Sequence, residues 1–226
     1  MGFVQKKMNK IIDFGFSLAP LLILVFTYKI TKSWKLAFYL SAPFAIISLI
    51  KAFTFKSKEI FLLAVNCFLS IGLFMFLFNI GWLQKFYEEF LYSMIFVWVF
   101  VISLILTFFT KDKIFDSVIT NKRKVFNYSL YFLTATVIAL GFSFYFRTDY
   151  FLGAWLPFVI LLVLKDFFNT FIKGVSFAKF YLLGGELIII LIAAMLRKHI
   201  FVSLLFLIIG RRILHLFWEK RFGKVV

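Results

Sequence analysis

The residue whose position most invites chemistry is Glu186. It follows Gly184 and Gly185 in the middle of an apolar run, 178–196, with no water-exposed end close by. A charged side chain at the centre of a bilayer costs about 2.5–3.5 kcal/mol on insertion scales, so it must reach water, find a partner or serve a purpose. A hairpin turning near Lys198 would supply the partner, because Glu186 and Gly210 lie equally far on either side of Lys198, with Arg211 and Arg212 next. At about 1.5 Å of rise per residue these groups share one depth. Gly184, Gly185 and Gly210 would let the two backbones approach, and an ion pair from Glu186 to Arg211 or Arg212 would take both charges away from lipid. The same carboxylate admits a second reading, in which it carries a proton or binds a cationic substrate group in a bundle cavity.

Lys51, Lys165 and Asp166 are the other ionisable groups inside apolar runs that need an account. Lys51 lies near a span end and can snorkel to the interface, and Lys165 lies deeper. Asp166 adjoins Lys165, but neighbours along a helix do not face one another. A short carboxylate cannot snorkel far, so Asp166 needs water or a cation from another helix.

Other chemistries lack their residues. The single Cys67 lies in an apolar run, and the two histidines, His199 and His215, have no Cys or second His near them in sequence. That pattern assembles no disulfide framework, zinc site or Cys/His nucleophile. Asp112 and Asp116 form a close carboxylate pair without a second cluster to share a metal, and they read as the solvated face of an interfacial helix. There is no glycine-rich phosphate loop, Gly-x-Ser-x-Gly elbow or His-Glu-x-x-His. The expectation is a non-enzymatic protein without cofactor or metal.

The elements that position these groups are membrane helices. Of the 226 residues 63% are hydrophobic and 16% charged, whereas a soluble domain is about half apolar. A span needs about 20 apolar residues to cross a core of about 30 Å. Eight stretches qualify: 11–30, 36–55, 59–80, 91–110, 126–146, 151–172, 178–196 and 200–218. The expected fold is all-α, a polytopic integral membrane protein of about eight transmembrane helices in one bundle, or seven if two of the last merge. Within it, 1–175 forms a six-helix region, and 176–226 forms a C-terminal helical hairpin with a basic tail.

The 26 Lys and Arg outnumber the 10 Asp and Glu, but they sit in short clusters between apolar runs. That is the placement of topology determinants, not of a nucleic-acid surface. Most of them gather on one side, at Lys6, Lys7 and Lys10, at Lys51 to Lys58, at Lys111 to Lys124, at Lys165 to Lys179, and from Arg211 to Lys224. Both termini are therefore expected on the cytoplasmic side. Trp34, Trp82, Trp155 and Trp218 fall at span ends and read as interfacial anchors. Two segments, 82–91 and 111–121, carry apolar residues at helical spacing opposite charged ones and read as helices lying flat in an interface.

Other residues carry a resemblance. Asp13-Phe14, then Leu18-Ala19-Pro20-Leu21, then Tyr28-Lys29-Ile30 open the chain. Asn127-Tyr128-Ser129 begins the fifth run, and Trp155-Leu156-Pro157-Phe158 stands early in the sixth. In these positions, and in the order of its apolar segments, the chain resembles the intracellular septation protein A family of bacterial inner-membrane proteins from about residue 12 to 172. Where that family has a Lys-Pro-Thr type element, this chain reads Phe86-Tyr87-Glu88-Glu89. The resemblance implies a multi-pass protein of the bacterial inner membrane that supports cell-envelope biogenesis and septation, with the lipid bilayer and envelope-synthesis or division proteins as partners. It marks Tyr28, Lys29, Asn127, Ser129, Trp155 and Phe158 as family-like positions. The alternative is a small-molecule transporter, or a substrate-binding membrane subunit, that uses Glu186.

Overall fold

The structure, a computed structural model, describes residues 19–54, 60–109, 114–115, 122–172, 177–196, 206–207, 209–211 and 213–214. Among the described residues every regular element is helical. In chain order these are α1 (Ala19–Thr31), α2 (Trp34–Thr54), α3 (Ile60–Leu77), α4 (Gly81–Glu89), α5 (Leu91–Phe108), α6 (Lys122–Tyr145), a π-helical turn (Phe151–Trp155), α7 (Leu156–Ile172) and α8 (Phe177–Met195). A last helical stretch lies within 206–214.

The expected eight spans, or seven, are not found among the described residues. Among the described residues four helices are long and apolar enough to cross a membrane: Trp34–Ala52, Ile60–Leu77, Lys122–Tyr145 and Phe151–Asn169. A fifth is reached only if the bent pair Gly81–Glu89 and Ser93–Phe108 counts as one span, and its two arms meet at 99°. The protein is an all-α, multi-pass membrane protein with four such helices, or up to five, among the described residues.

Hydropathy adds up apolar residues whether or not one straight helix carries them, and the runs 11–30 and 200–218 lie partly outside the described residues. The run at 11–30 is described only as α1, which ends at Thr31 as Lys32 turns into the left-handed region at φ 55°. The apolar part of α8 is the short helix Leu182–Met195. Most of 200–218 lies outside the described residues.

Close packing joins α2 to α3. The Phe38 ring lies so near Gly72 that a Cβ there would overlap it, which is the steric use of a glycine at a helix contact. Phe38 continues into Phe68, at 5.4 Å between ring centroids, and Phe68 stacks on Tyr87 of α4 at 5.3 Å. A second apolar cluster joins α3, α5, α6 and α7 through Phe61, Phe96, Val99, Phe132 and Leu161. A third, Trp155, Val159, Ala193 and Leu207, connects α7, α8 and the last stretch.

Segment 82–91 forms α4, a separate helix turned sharply from α5. Asn79, at φ 50°, makes the turn that ends α3, a conformation Asn tolerates better than most residues. The Gln84 side-chain amide donates to the Met75 carbonyl at 3.0 Å, and the Trp98 indole donates to the Tyr87 hydroxyl at 3.2 Å. Trp82, 73% exposed, is free to meet an interface. Of segment 111–121 only Ile114 and Phe115 are described, and both are buried in the second cluster.

Trp155 is not an interfacial anchor. It is 4% exposed, stacked on Phe151 at 5.1 Å. The π-helical turn rolls it inward: Leu156 N–H bonds to the Phe151 carbonyl five residues back, just before Pro157, which has no N–H to give. The Asp149 carboxylate accepts from the N–H groups of Phe151 and Leu152 at 2.8 and 3.1 Å and so starts the turn. Gly153 is required there, since a Cβ would collide with the Phe146 carbonyl oxygen.

Candidate functional site

Three ionisable side chains from three elements meet in one cluster. Asp166 comes from α7, Glu186 from α8 and Arg211 from the last helical stretch. A single nitrogen of Arg211, Nη2, donates to Asp166 Oδ2 and lies 3.4 Å from Glu186 Oε1. Burial deepens across the group: Asp166 and Arg211 are partly exposed, and Glu186 is 2% exposed.

The backbone that brings them together is made of small residues. A Cβ on Gly185 would stand 3.0 Å from Leu214, and one on Gly210 would stand 3.1 Å from Ile189. Two of the three glycines marked in the sequence therefore face the α8 contact with the last stretch. Gly184 does not, since nothing lies within 4 Å of a Cβ placed there. Arg212 lies outside the described residues.

Sequence reasoning paired Glu186 with an arginine but left open which cation would meet Asp166. The signal was present, because a short acid deep in an apolar run needs a charged neighbour from elsewhere. The neighbour is Arg211, so one guanidinium serves two carboxylates. Lys165, beside Asp166, points its ammonium at the Phe61 ring, 5.9 Å from the centroid.

Physically the cluster does two things. It neutralises charge that lipid would penalise, through charge-assisted hydrogen bonds stronger than neutral ones. It also ties α8 and the last stretch to α7, because removing one member of such a group strands the others.

The remaining marked positions do not share a site. Tyr28 stacks on Trp34 at 3.7 Å, and Lys29 is exposed near the end of α1. Asn127 is exposed on α6, while the Ser129 hydroxyl is buried and donates to the Val125 carbonyl at 2.9 Å. Phe158 meets Phe61 edge-on at 5.1 Å. Among the described residues no group of three His, Cys, Asp or Glu side chains gathers where a metal could be held. His199 and His215 lie outside the described residues.

Two pairs of buried polar side chains join helices, while Ser41, Ser70, Thr107, Ser129 and Thr136 donate to carbonyls of their own helices. Asn66 on α3 donates to the Ser48 hydroxyl on α2 at 2.9 Å, and Ser93 on α5 meets Ser143 on α6 at 3.0 Å. Comparison of the chain with family models, with curated proteins and with solved structures found no match in any of the three.

Proposed function

We propose that this chain is a non-enzymatic protein of the bacterial inner membrane that supports envelope biogenesis and septation by holding other membrane proteins. The observation that carries the reading is how the buried polar side chains are used. Asp166, Arg211 and Glu186 turn toward one another, Asn66 toward Ser48, and Ser93 toward Ser143. Polar groups arranged this way make helix contacts, the use to which membrane bundles put them. The envelope assignment draws on the resemblance of residues 12–172 to the septation protein A family. The orientation draws on the cations, with Lys51 and the Lys122-Arg123-Lys124 end of α6 on the cytoplasmic side.

The test is a pull-down of the tagged protein after crosslinking in its native membrane, read by mass spectrometry against a matched apolar control. Specific recovery of envelope-synthesis or division proteins is the expected outcome. Recovery of nothing above the control overturns the reading.

One observation favours a second reading, a small-molecule transporter or substrate-binding subunit: two carboxylates from different helices converge on one cation inside an apolar bundle. A Glu186→Gln variant that inserts normally and loses an uptake phenotype would support it.

A further inference from the structure

The 18 residues of α5 carry no charge and make about 27 Å of helix. α5 runs antiparallel beside α6 for nearly all of its length. Ser93 meets Ser143 at 3.0 Å near one end, and Phe108 meets Phe126 at 6.2 Å between ring centroids near the other. Since α6 is long and apolar enough to cross a membrane, α5 covers the same layer. Charge appears where this pair of helices ends. Glu89 lies 3.3 Å from Arg147, just beyond the end of α6, and Asp149 starts the turn that follows. At this level α4 and α5 meet at 99°. With α5 upright in the bilayer, α4 lies along its plane.

Successive residues of a helix turn by about 100°, and the nine residues of α4 present three unlike sides. One side faces the bundle: Tyr87 is buried against Phe68, Leu83 packs on the same apolar cluster, and Gln84 donates to the Met75 carbonyl. The second side carries Trp82 and Phe86, both exposed. The third carries Lys85 and Glu88, also exposed. The apolar residues of 82–91 therefore do not form one surface, because Leu83 and Tyr87 turn to the bundle and Trp82 and Phe86 turn away from it. At the adjoining end of α3, Phe74 and Phe78 are exposed and stack at 6.3 Å, as rings on the lipid side of a span do. A helix standing in water has no use for an exposed Trp and Phe together, and one crossing hydrocarbon does not expose Lys85 and Glu88 to it. Three unlike sides suit the place where protein, hydrocarbon and water meet.

We propose that α4 is an in-plane interfacial helix that rests on the hydrocarbon boundary of one leaflet through Trp82 and Phe86, while α5 by itself makes the fifth span among the described residues. The partner of this surface is phospholipid. Trp82 sits at the headgroup level, where an amphipathic ring is favoured, and Lys85 and Glu88 turn to water. The bond from the Trp98 indole to the Tyr87 hydroxyl ties α4 to α5, and the bond from Gln84 to Met75 ties it to α3. The helix thereby fixes the depth at which both spans end. This placement goes beyond the proposed function, since it does not depend on which proteins the chain holds.

The test uses single cysteines in a Cys67→Ala background, Cys67 being the only cysteine. The purified variants are placed in vesicles of phosphatidylglycerol and phosphatidylethanolamine and labelled with bimane, and lipids spin-labelled at shallow or deep acyl positions quench the fluorophore according to its depth. Trp82→Cys and Phe86→Cys are expected at one depth, quenched several-fold more by the shallow label. Thr134→Cys, exposed at the centre of α6, is expected to show the reverse. Lys85→Cys and Glu88→Cys are expected to react with a water-soluble maleimide several-fold faster than Trp82→Cys and Phe86→Cys. In sealed native vesicles of one orientation, an impermeant maleimide is expected to reach Lys85→Cys and Phe109→Cys, the latter exposed at the far end of α5, from opposite sides. Deep quenching at Trp82→Cys or Phe86→Cys overturns the proposal by making α4 part of a broken span. Equal, fast labelling of all four α4 positions overturns it by placing the helix in water. Protection of Trp82→Cys in native membranes that is lost in the lipid vesicles assigns the surface to a protein in place of lipid. Access to Lys85→Cys and Phe109→Cys from one side removes α5 as a span.

Discussion

Arg211 Nη2 and Glu186 Oε1 lie 3.4 Å apart, and the same nitrogen also donates to Asp166. One cation thus joins α7, α8 and the last helical stretch, and its removal is expected to be the most damaging single change in the cluster. Arg211→Met leaves two carboxylates facing each other in an apolar setting, and loss of one member of a buried ionic group costs about 3–5 kcal/mol. The expected outcome is low abundance in the membrane and a lowered Tm in detergent. Glu186→Gln, which leaves the Asp166 contact in place, should lower both less.

Glycines divide by what surrounds them. Gly72→Ala forces a methyl into the buried Phe38 ring, and overpacking of this kind costs about 1–3 kcal/mol. Phe38→Leu should restore part of that loss in the double variant. Gly153→Ala meets the backbone oxygen of Phe146, which no side-chain change can relieve. Thermal unfolding in detergent of the single and double variants checks both statements.

Ser48 and Asn66 are expected to behave as a pair. Ser48→Ala removes the acceptor of the Asn66 amide at a fully buried site, and stranding a buried polar group costs about 1–3 kcal/mol. Replacing both, as Ser48→Ala with Asn66→Leu, should destabilise less than Ser48→Ala alone. A double-mutant cycle on Tm reads the difference.

Arg147 and Glu89 lie 3.3 Å apart, but their side chains are 44% and 56% exposed. Exposed pairs contribute about 0–1 kcal/mol. Glu89→Gln should therefore leave Tm close to that of the parent protein, and a marked fall would show that Arg147 stabilises the loop through Glu89. Arg147 also lies over the Phe90 ring, 4.8 Å from its centroid, and that contact survives the change.

The membrane class was legible in the 63% hydrophobic content, and the helical class in apolar runs of about 20 residues between charged clusters. The equal spacing of Glu186 and Gly210 about Lys198 put Glu186 and Arg211 at one depth, and in the structure their side chains meet. The span count was not legible. An apolar run does not show how much of it one straight helix carries: 178–196 yields only the short apolar helix Leu182–Met195, and 11–30 is described only as Ala19–Thr31. Trp155 misled for a related reason, since a π-helical turn changes which way a residue faces without changing its place near a span end. The Asp166 contact lay beyond sequence spacing because it depends on where α7 stands relative to the last stretch.

The central claim is that the cluster holds helices together and does not handle a substrate. The most direct measurement replaces all three charges at once, as Asp166→Leu, Glu186→Met and Arg211→Met, and follows membrane abundance, crosslinked partners and growth phenotype together. Apolar residues of similar volume in place of a buried ionic group are often neutral or stabilising. The account predicts normal insertion with unchanged partner recovery and phenotype. Normal insertion and abundance with loss of the phenotype would contradict it and assign the three charges a role in transport.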